Sequence, residues 1–390
     1  MPIRFFWLLI LILVSAFAGP VNAHDPSAWG GLFRSRDFGA NWFPADAGLF
    51  IGGALGVAVH PKEPALLLYG TDARLLRSKN GGRDWTTEQG AGMAEAVYAV
   101  LFDADGRGAL AASGTKIFRA GEDGVWQDVR APGATLPVRA FVHSSVNPDR
   151  IYLAGEHGLF ASVDKGRSWT RSGEGVLPEN AVAGFLVVPG AVEALYAIID
   201  GNLWTSTDDA RNWSTRNGGL PAGRVDAVSA DLHNPKRLWV TAAAQVYSSD
   251  DAGVSWAKYG SPLAEPETQV RGIAVSDDGK IIVLATHRGL LRSVDAGKNW
   301  VQVESTLPVH LETGLLLRDP HDPATLYAGF SLTPYAEMRR RAGQSAALLA
   351  QLDPISLAGG AAFLGLLAVG GIVFARWLIR RSRRPGISAS

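Results

Sequence analysis

The octapeptide SVDKGRSW, Ser162 to Trp169, sets a hydroxyl, a carboxylate and a glycine at alternate positions and closes on an indole. A serine beside an acid raises the question of a reactive site, and clustered oxygens raise that of a metal loop. The calcium reading fails on the residues, because the stretch lacks the further oxygen ligands and the terminal glutamate of an EF-hand loop. The eight histidines show no ligand spacing such as H-x-x-x-H. His24 would become a mature N-terminus able to chelate copper, but only with a second histidine. Cysteine is absent, which removes thiolate sites, disulfides and a cysteine nucleophile. No metal site and no cofactor is expected. Hydrolysis of a glycosidic bond needs two carboxylates about 5 to 10 Å apart across a cleft, and Asp72, Glu156 and Asp200 are the acids whose turns could supply them. Scattered loop acids account for the same three residues.

What positions these groups is a repeat. SVDKGRSW recurs as SRDFGANW from Ser35, SKNGGRDW from Ser78, STDDARNW from Ser206, SDDAGVSW from Ser249 and SVDAGKNW from Ser293, with a worn copy ending at Trp126. The closing tryptophans stand at 42, 85, 126, 169, 213, 256 and 300, a spacing of 41 to 44 residues. Within each unit, short apolar runs such as RIYLAG and GLFAS are separated by Gly, Asp and Pro turns, giving four strands per unit. Seven units of this kind predict an all-β fold, a seven-bladed β-propeller over 24–332. The last unit is incomplete after Phe330, and the missing part is at the N-terminal end of the array; Val301 to Phe330 and Gly30 to Trp42 together have the length of one repeat, 43 residues. The two ends of the array are therefore expected to share a split closing blade, which removes the exposed sheet edge.

The octapeptides resemble the Asp-box, S-x-D-x-G-x-x-W, with four complete copies: Ser35, Asp37, Gly39 and Trp42; Ser162, Asp164, Gly166 and Trp169; Ser249, Asp251, Gly253 and Trp256; Ser293, Asp295, Gly297 and Trp300. The copy at Ser78 carries Asn80 for the aspartate, and the copy at Ser206 carries Ala210 for the glycine. The resemblance implies a structural hairpin between the third and fourth strands of each blade. Asp-boxes occur in sialidases, other glycoside hydrolases, sortilin-type receptors and photosystem II stability/assembly factors, so the motif specifies fold better than function. The rhythm is most similar to the assembly-factor propellers, which implies protein binding without turnover. The F/Y-R-I-P element that opens sialidases is missing.

Propeller ligands meet the face made by the turns between second and third strands and by the blade-to-blade loops, opposite the Asp-boxes. The partner-binding candidates there are Arg139, Arg224, Arg271, His157, His287 and Arg288. Three arginines near the starts of inner strands would ring one mouth of the channel and suit a carboxylate-bearing or acidic partner. Separate solvated arginines or blade-to-blade ion pairs are the other account of them.

Thirty-seven basic residues balance thirty-seven acidic ones, so no overall field draws the chain to nucleic acid. Residues 1–23 read as a signal peptide, with Arg4, an apolar run from Phe5 and small residues before Ala23. Residues 333–353 read as a juxtamembrane amphipathic helix in which Arg339, Arg340 and Arg341 form a basic turn on the outer side of the membrane, available to lipid phosphates or a partner, with a solvated spacer as the other account. Residues 354–379 read as one transmembrane helix, capped by Asp353 and Pro354, and 380–390 as a basic tail. Arg376, Arg380, Arg381, Arg383 and Arg384 place that tail in the cytoplasm and the propeller in the periplasm. The expectation is a single-pass protein of the cytoplasmic membrane whose partner is a membrane protein complex or its subunits.

Overall fold

The structure, a computed structural model, describes residues 30–341 except 47, 89–92, 94, 130–136, 232, 305–306 and 309–310. The signal peptide and the membrane helix expected at 1–23 and 354–379 lie outside the described residues. Among the described residues, no helix is long and apolar enough to cross a membrane.

The described strands form seven four-stranded antiparallel sheets. In the first blade, Ala54–Val59 is innermost, followed outward by Leu67–Thr71, Leu75–Ser78 and Thr86–Thr87. The second strand is buried along its whole length because blades press on both of its faces, which explains its continuous apolar run. The outermost strand is two exposed residues, too short to template pairing with another chain. The innermost strands of the next five blades are Val97–Phe102, Val138–His143, Val182–Val188, Val225–Ala230 and Val270–Val275. Each packs against the next, and Glu312–Arg318 of the seventh blade packs back on Ala54–Val59 to complete the ring.

That seventh blade is split as expected. Glu312–Arg318 and Leu326–Ser331 come from the end of the array, Gly31–Ser35 and Phe43–Pro44 from its start. Gly31–Ser35 pairs with Leu326–Ser331 in unbroken register, from Gly31 opposite Phe330 to Ser35 opposite Leu326. The rings of Phe33 and Phe330 meet edge to face across this seam, 5.3 Å apart.

The turn between third and fourth strands is held by side chains. In the copy quoted first, Ser162 Oγ donates to Asp164 Oδ1 at 2.7 Å and accepts the Gly166 amide at 2.8 Å. Asp164 also accepts the Ser168 amide at 2.9 Å and the Ser168 hydroxyl at 2.6 Å. Gly166 stands at φ +81°, where a β-carbon is strained. The copies at Ser35, Ser249 and Ser293 repeat this pattern. Several tryptophans then tie blades together: Trp85 donates to Ala45 O at 2.8 Å and Trp256 to Arg216 O at 2.9 Å, each acceptor lying just beyond the preceding blade.

Candidate functional site

The functional geometry is built by one irregularity repeated seven times. In every innermost strand the register slips close to its start: between Ala54 and Gly56, Val97 and Ala99, Val138 and Ala140, Val182 and Gly184, Val225 and Ala227, Val270 and Gly272, and Thr313 and Leu315. A bulge of this kind leaves one residue unpaired and re-aims its side chain. The residues so released are Leu55, Tyr98, Arg139, Ala183, Asp226, Arg271 and Gly314. Five of them, Arg139, Ala183, Asp226, Arg271 and Gly314, line one cavity of about 440 Å³, which Arg224 and Arg339 also line.

The charges of this mouth are unevenly paired. Arg139 grips Glu156 through two bonds, Nε to Oε1 at 2.8 Å and Nη2 to Oε2 at 3.1 Å. Arg271 pairs with Glu312, while its buried Nε has no hydrogen-bond partner. Burial lowers the pKa of Arg271, against the pull of Glu312. Burial raises the carboxyl of Asp226 to about 6, with Arg224 opposing the shift. At neutral pH the cavity thus meets four guanidinium groups and an acid whose ionisation is opposed by its surroundings.

Chain beyond the seventh blade also reaches this mouth. A short helix over 335–341 begins at Tyr335, which is 3% exposed, and turns Arg339 inward. Arg339 Nε lies 3.8 Å from Glu156 Oε1, and its side chain is 22% exposed. Burial, then the neighbouring Arg139, bring its pKa down to about 10. Tyr335, Met338 and Arg339 follow at the spacing of one helix face, and Arg339 of the basic turn lines the mouth. Sequence reasoning missed Tyr335, Glu312 and Asp226, and named Arg339 without placing it at this mouth. Aligning the first six inner strands on the small residue after the bulge, as in VRAF, VDAV and VRGI, would have marked the ring and set Asp226 beside Arg139 and Arg271.

The structure brings Arg139, Arg224 and Arg271 to one cavity. His287 and Arg288 line a separate cleft of about 230 Å³ with Leu263 and Trp300, where Arg288 pairs with Glu265 at 2.5 Å and His287 Nδ1 accepts the Gln269 amide. His157 is exposed, and its carbonyl accepts a bond from Arg171 at 2.9 Å. The three carboxylates fall in turns of the first, third and fourth blades. Asp72 is exposed and its carboxylate lies against Gly52; Asp200 accepts the Asn180 side-chain amide at 2.8 and 3.0 Å; Glu156 is held by Arg139. None of the three lines the arginine cavity. Among the described residues, no group of acids and histidines is arranged to hold a metal ion.

The fold and its repeated box define a seven-bladed Asp-box propeller. No protein-family model matches the chain. Its structural neighbours include YCF48 propellers: YCF48 bound to a D1 peptide superposes with a TM-score of 0.54 at 15% identity, over 73% of this chain and 94% of that one. YCF48 from Cyanidioschyzon merolae gives a TM-score of 0.54 at 13% identity, over 73% of this chain and 97% of that one. At these identities the likeness is one of fold. A xyloglucanase of Paenibacillus sp is 23% identical over 316 residues, 79% of this chain, and the chain spans only 22% of that enzyme's length.

Proposed function

We propose that this protein is an extracytoplasmic binding propeller, an assembly or stability factor that holds an acidic segment of a membrane protein complex at its arginine mouth, without turnover. The observation that carries the reading is the convergence of Arg139, Arg224, Arg271 and Arg339 on one cavity of the loop face. Guanidinium groups are weakly hydrated, planar and always charged, which suits them to carboxylates at low-dielectric walls. The likeness of fold to YCF48 in its D1 peptide complex supports a peptide-binding use of such a propeller. The signal peptide, the anchoring helix at 354–379 and the periplasmic placement of the propeller belong to this reading.

The test is purification of the full-length protein from its native membrane in mild detergent, with identification of what stays bound. Stable membrane partners that are lost on reversing the charge of Arg139, Arg224 and Arg271 support it. A second reading, a glycoside hydrolase, has the similarity to a xyloglucanase in its favour. Release of sugars from glycans, abolished by alanine at Asp72, Glu156 or Asp200, would replace the first reading with the second.

A further inference from the structure

The bulge ring has seven positions, and the segment 332–339 covers part of it. Gly314 supplies no side chain to the ring, and Tyr335 takes the space: a β-carbon at 314 would lie 2.4 Å from its aromatic ring. The Tyr335 hydroxyl reaches Ala54 O of the first blade at 2.6 Å and Gly329 O of the seventh at 3.1 Å. Its amide donates to Glu312 at 2.6 Å, and the Tyr98 hydroxyl of the second blade donates to Met338 O at 3.1 Å. The strap is thus pegged to three consecutive blades. One turn further on, Arg339 lies over the Tyr335 ring at 5.9 Å and approaches Glu156 of the third.

This seating adds a cation where the anions are already engaged. Glu156 is held twice by Arg139, Glu312 is divided between Arg271 and the Tyr335 amide, and Asp226 already faces the charge of Arg224. An anion entering the cavity would relieve the crowding of Arg339 against Arg139 and Arg271. Such a relief is a coupling between two events, and coupling is reciprocal: whatever factor the seated strap adds to anion affinity, the anion adds to strap seating.

We infer that the strap and an acidic peptide are seated together, with Arg339 a ligand-facing group that is delivered only when Tyr335 occupies the socket over Gly314. This rests on the reading of the mouth as a binding site. The ligand class is a carboxylate-rich peptide segment, and the strap is a part of its site and not a cover that it must displace.

Gly314→Ala separates the two events. Its backbone lies outside the left-handed region, and the nearest atoms to the added methyl all belong to Tyr335, so the substitution evicts the peg and leaves the propeller's own arginines in place. The probe is hexaglutamate with a free C-terminal carboxylate, titrated calorimetrically at low salt into the full-length chain, with hydrogen exchange followed over 332–339. In the wild type, saturating peptide is expected to slow exchange of that segment about tenfold, and Gly314→Ala to weaken binding about tenfold, the scale of one charge-assisted contact. Arg339→Gln should weaken binding similarly while the melting temperature holds, and Arg339→Lys should recover part of it. Equal or tighter binding by Gly314→Ala would overturn the inference and make the strap a cover. Binding that is lost in Arg139→Glu but indifferent to both strap variants would overturn the coupling and leave the mouth reading intact. No binding to the wild type would overturn both.

Discussion

Glu156 is clasped by Arg139 through two parallel bonds and approached by Arg339 from the strap, so the acid is the shared counter-ion of two guanidinium groups. A general acid or base must be free to reach substrate, and this carboxylate is instead committed to two guanidinium groups. Glu156→Ala is expected to destabilise the fold by about 1–2 kcal/mol, because the pair is partly shielded but still touches solvent. The same change should tighten hexaglutamate binding, since it frees Arg139 and Arg339. Weaker binding in calorimetry would contradict the role assigned here.

Asp226 gives the mouth a pH dependence. Its folded pKa of about 6 lies above the ordinary aspartate value, so the folded state holds the proton more tightly than the unfolded chain between about pH 4 and 6. Stability contributed by this residue is therefore present at low pH and lost as pH rises through 6. Asp226→Asn, which fixes the neutral form, should raise the melting temperature at pH 7.5 and leave it nearly unchanged at pH 4. It should also strengthen acidic-peptide binding at pH 7.5 more than at pH 5. An effect of equal size at both would show that the charge is not what matters.

The Asp-box aspartates titrate in the opposite sense. The hydroxyl and amide of Ser168, with the Ser162 hydroxyl, outweigh burial and hold Asp164 at about 2, below its ordinary value. Asp251 is held at about 2 by Ser255, and Asp295 at about 2 by Asn299. The unfolded chain takes up these protons first, so the stability is fully present above about pH 4 and lost as pH falls towards 2. Melting curves of wild type and Asp164→Ala should run a constant distance apart from pH 7 to 4 and converge by pH 2. A gap independent of pH would assign the loss to packing.

The divergent copies show how much of this is chemistry and how much is sequence identity. At Ser78 the aspartate is Asn80 and the seventh position is Asp84, and Asn80 Nδ2 donates to Asp84 at 2.7 Å while Asn80 Oδ1 accepts the Asp84 amide at 2.9 Å. The donor and acceptor have exchanged places. Asp295→Asn with Asn299→Asp is therefore expected to melt closer to wild type than Asp295→Ala does. A double variant as unstable as the alanine would show that the box needs its charge at the third position.

Blade number, blade closure and the hairpin boxes were legible because each depends on residues close in sequence or on a count. A turn that needs a hydroxyl, a carboxylate and a positive φ within five residues advertises itself, and seven tryptophans measure the period. The mouth was only half legible. Arg139 and Arg271 were found from their place at strand starts, but the bulge that aims them is a fact of pairing between strands. Arg224 was chosen in its blade by the same rule, and the true ring position is Asp226, two residues on. The strap was hidden for a further reason. Tyr335 is inward because Gly314, 21 residues earlier, leaves room for it, and no local pattern records that meeting.

The seam of the closing blade carries the last prediction, because the mouth depends on it. Phe33 comes from the first described strand and Phe330 from the last, and both rings are buried. Removing either ring should cost about 3–5 kcal/mol through lost transfer energy and the cavity left behind. A double-mutant cycle of Phe33→Ala and Phe330→Ala should return a coupling of about 0.5–1.5 kcal/mol, the contribution of the edge-to-face pair beyond its area. Phe330 is also the neighbour of Gly329, whose carbonyl receives the Tyr335 hydroxyl. Loosening the seam is therefore expected to release the strap before the ring unfolds, so in Phe330→Ala hydrogen exchange over 332–339 should accelerate at denaturant concentrations where the inner strands of the third to sixth blades stay protected. If strap and inner strands lose protection together, the ring is one cooperative unit and the seam has no separate hold on the mouth.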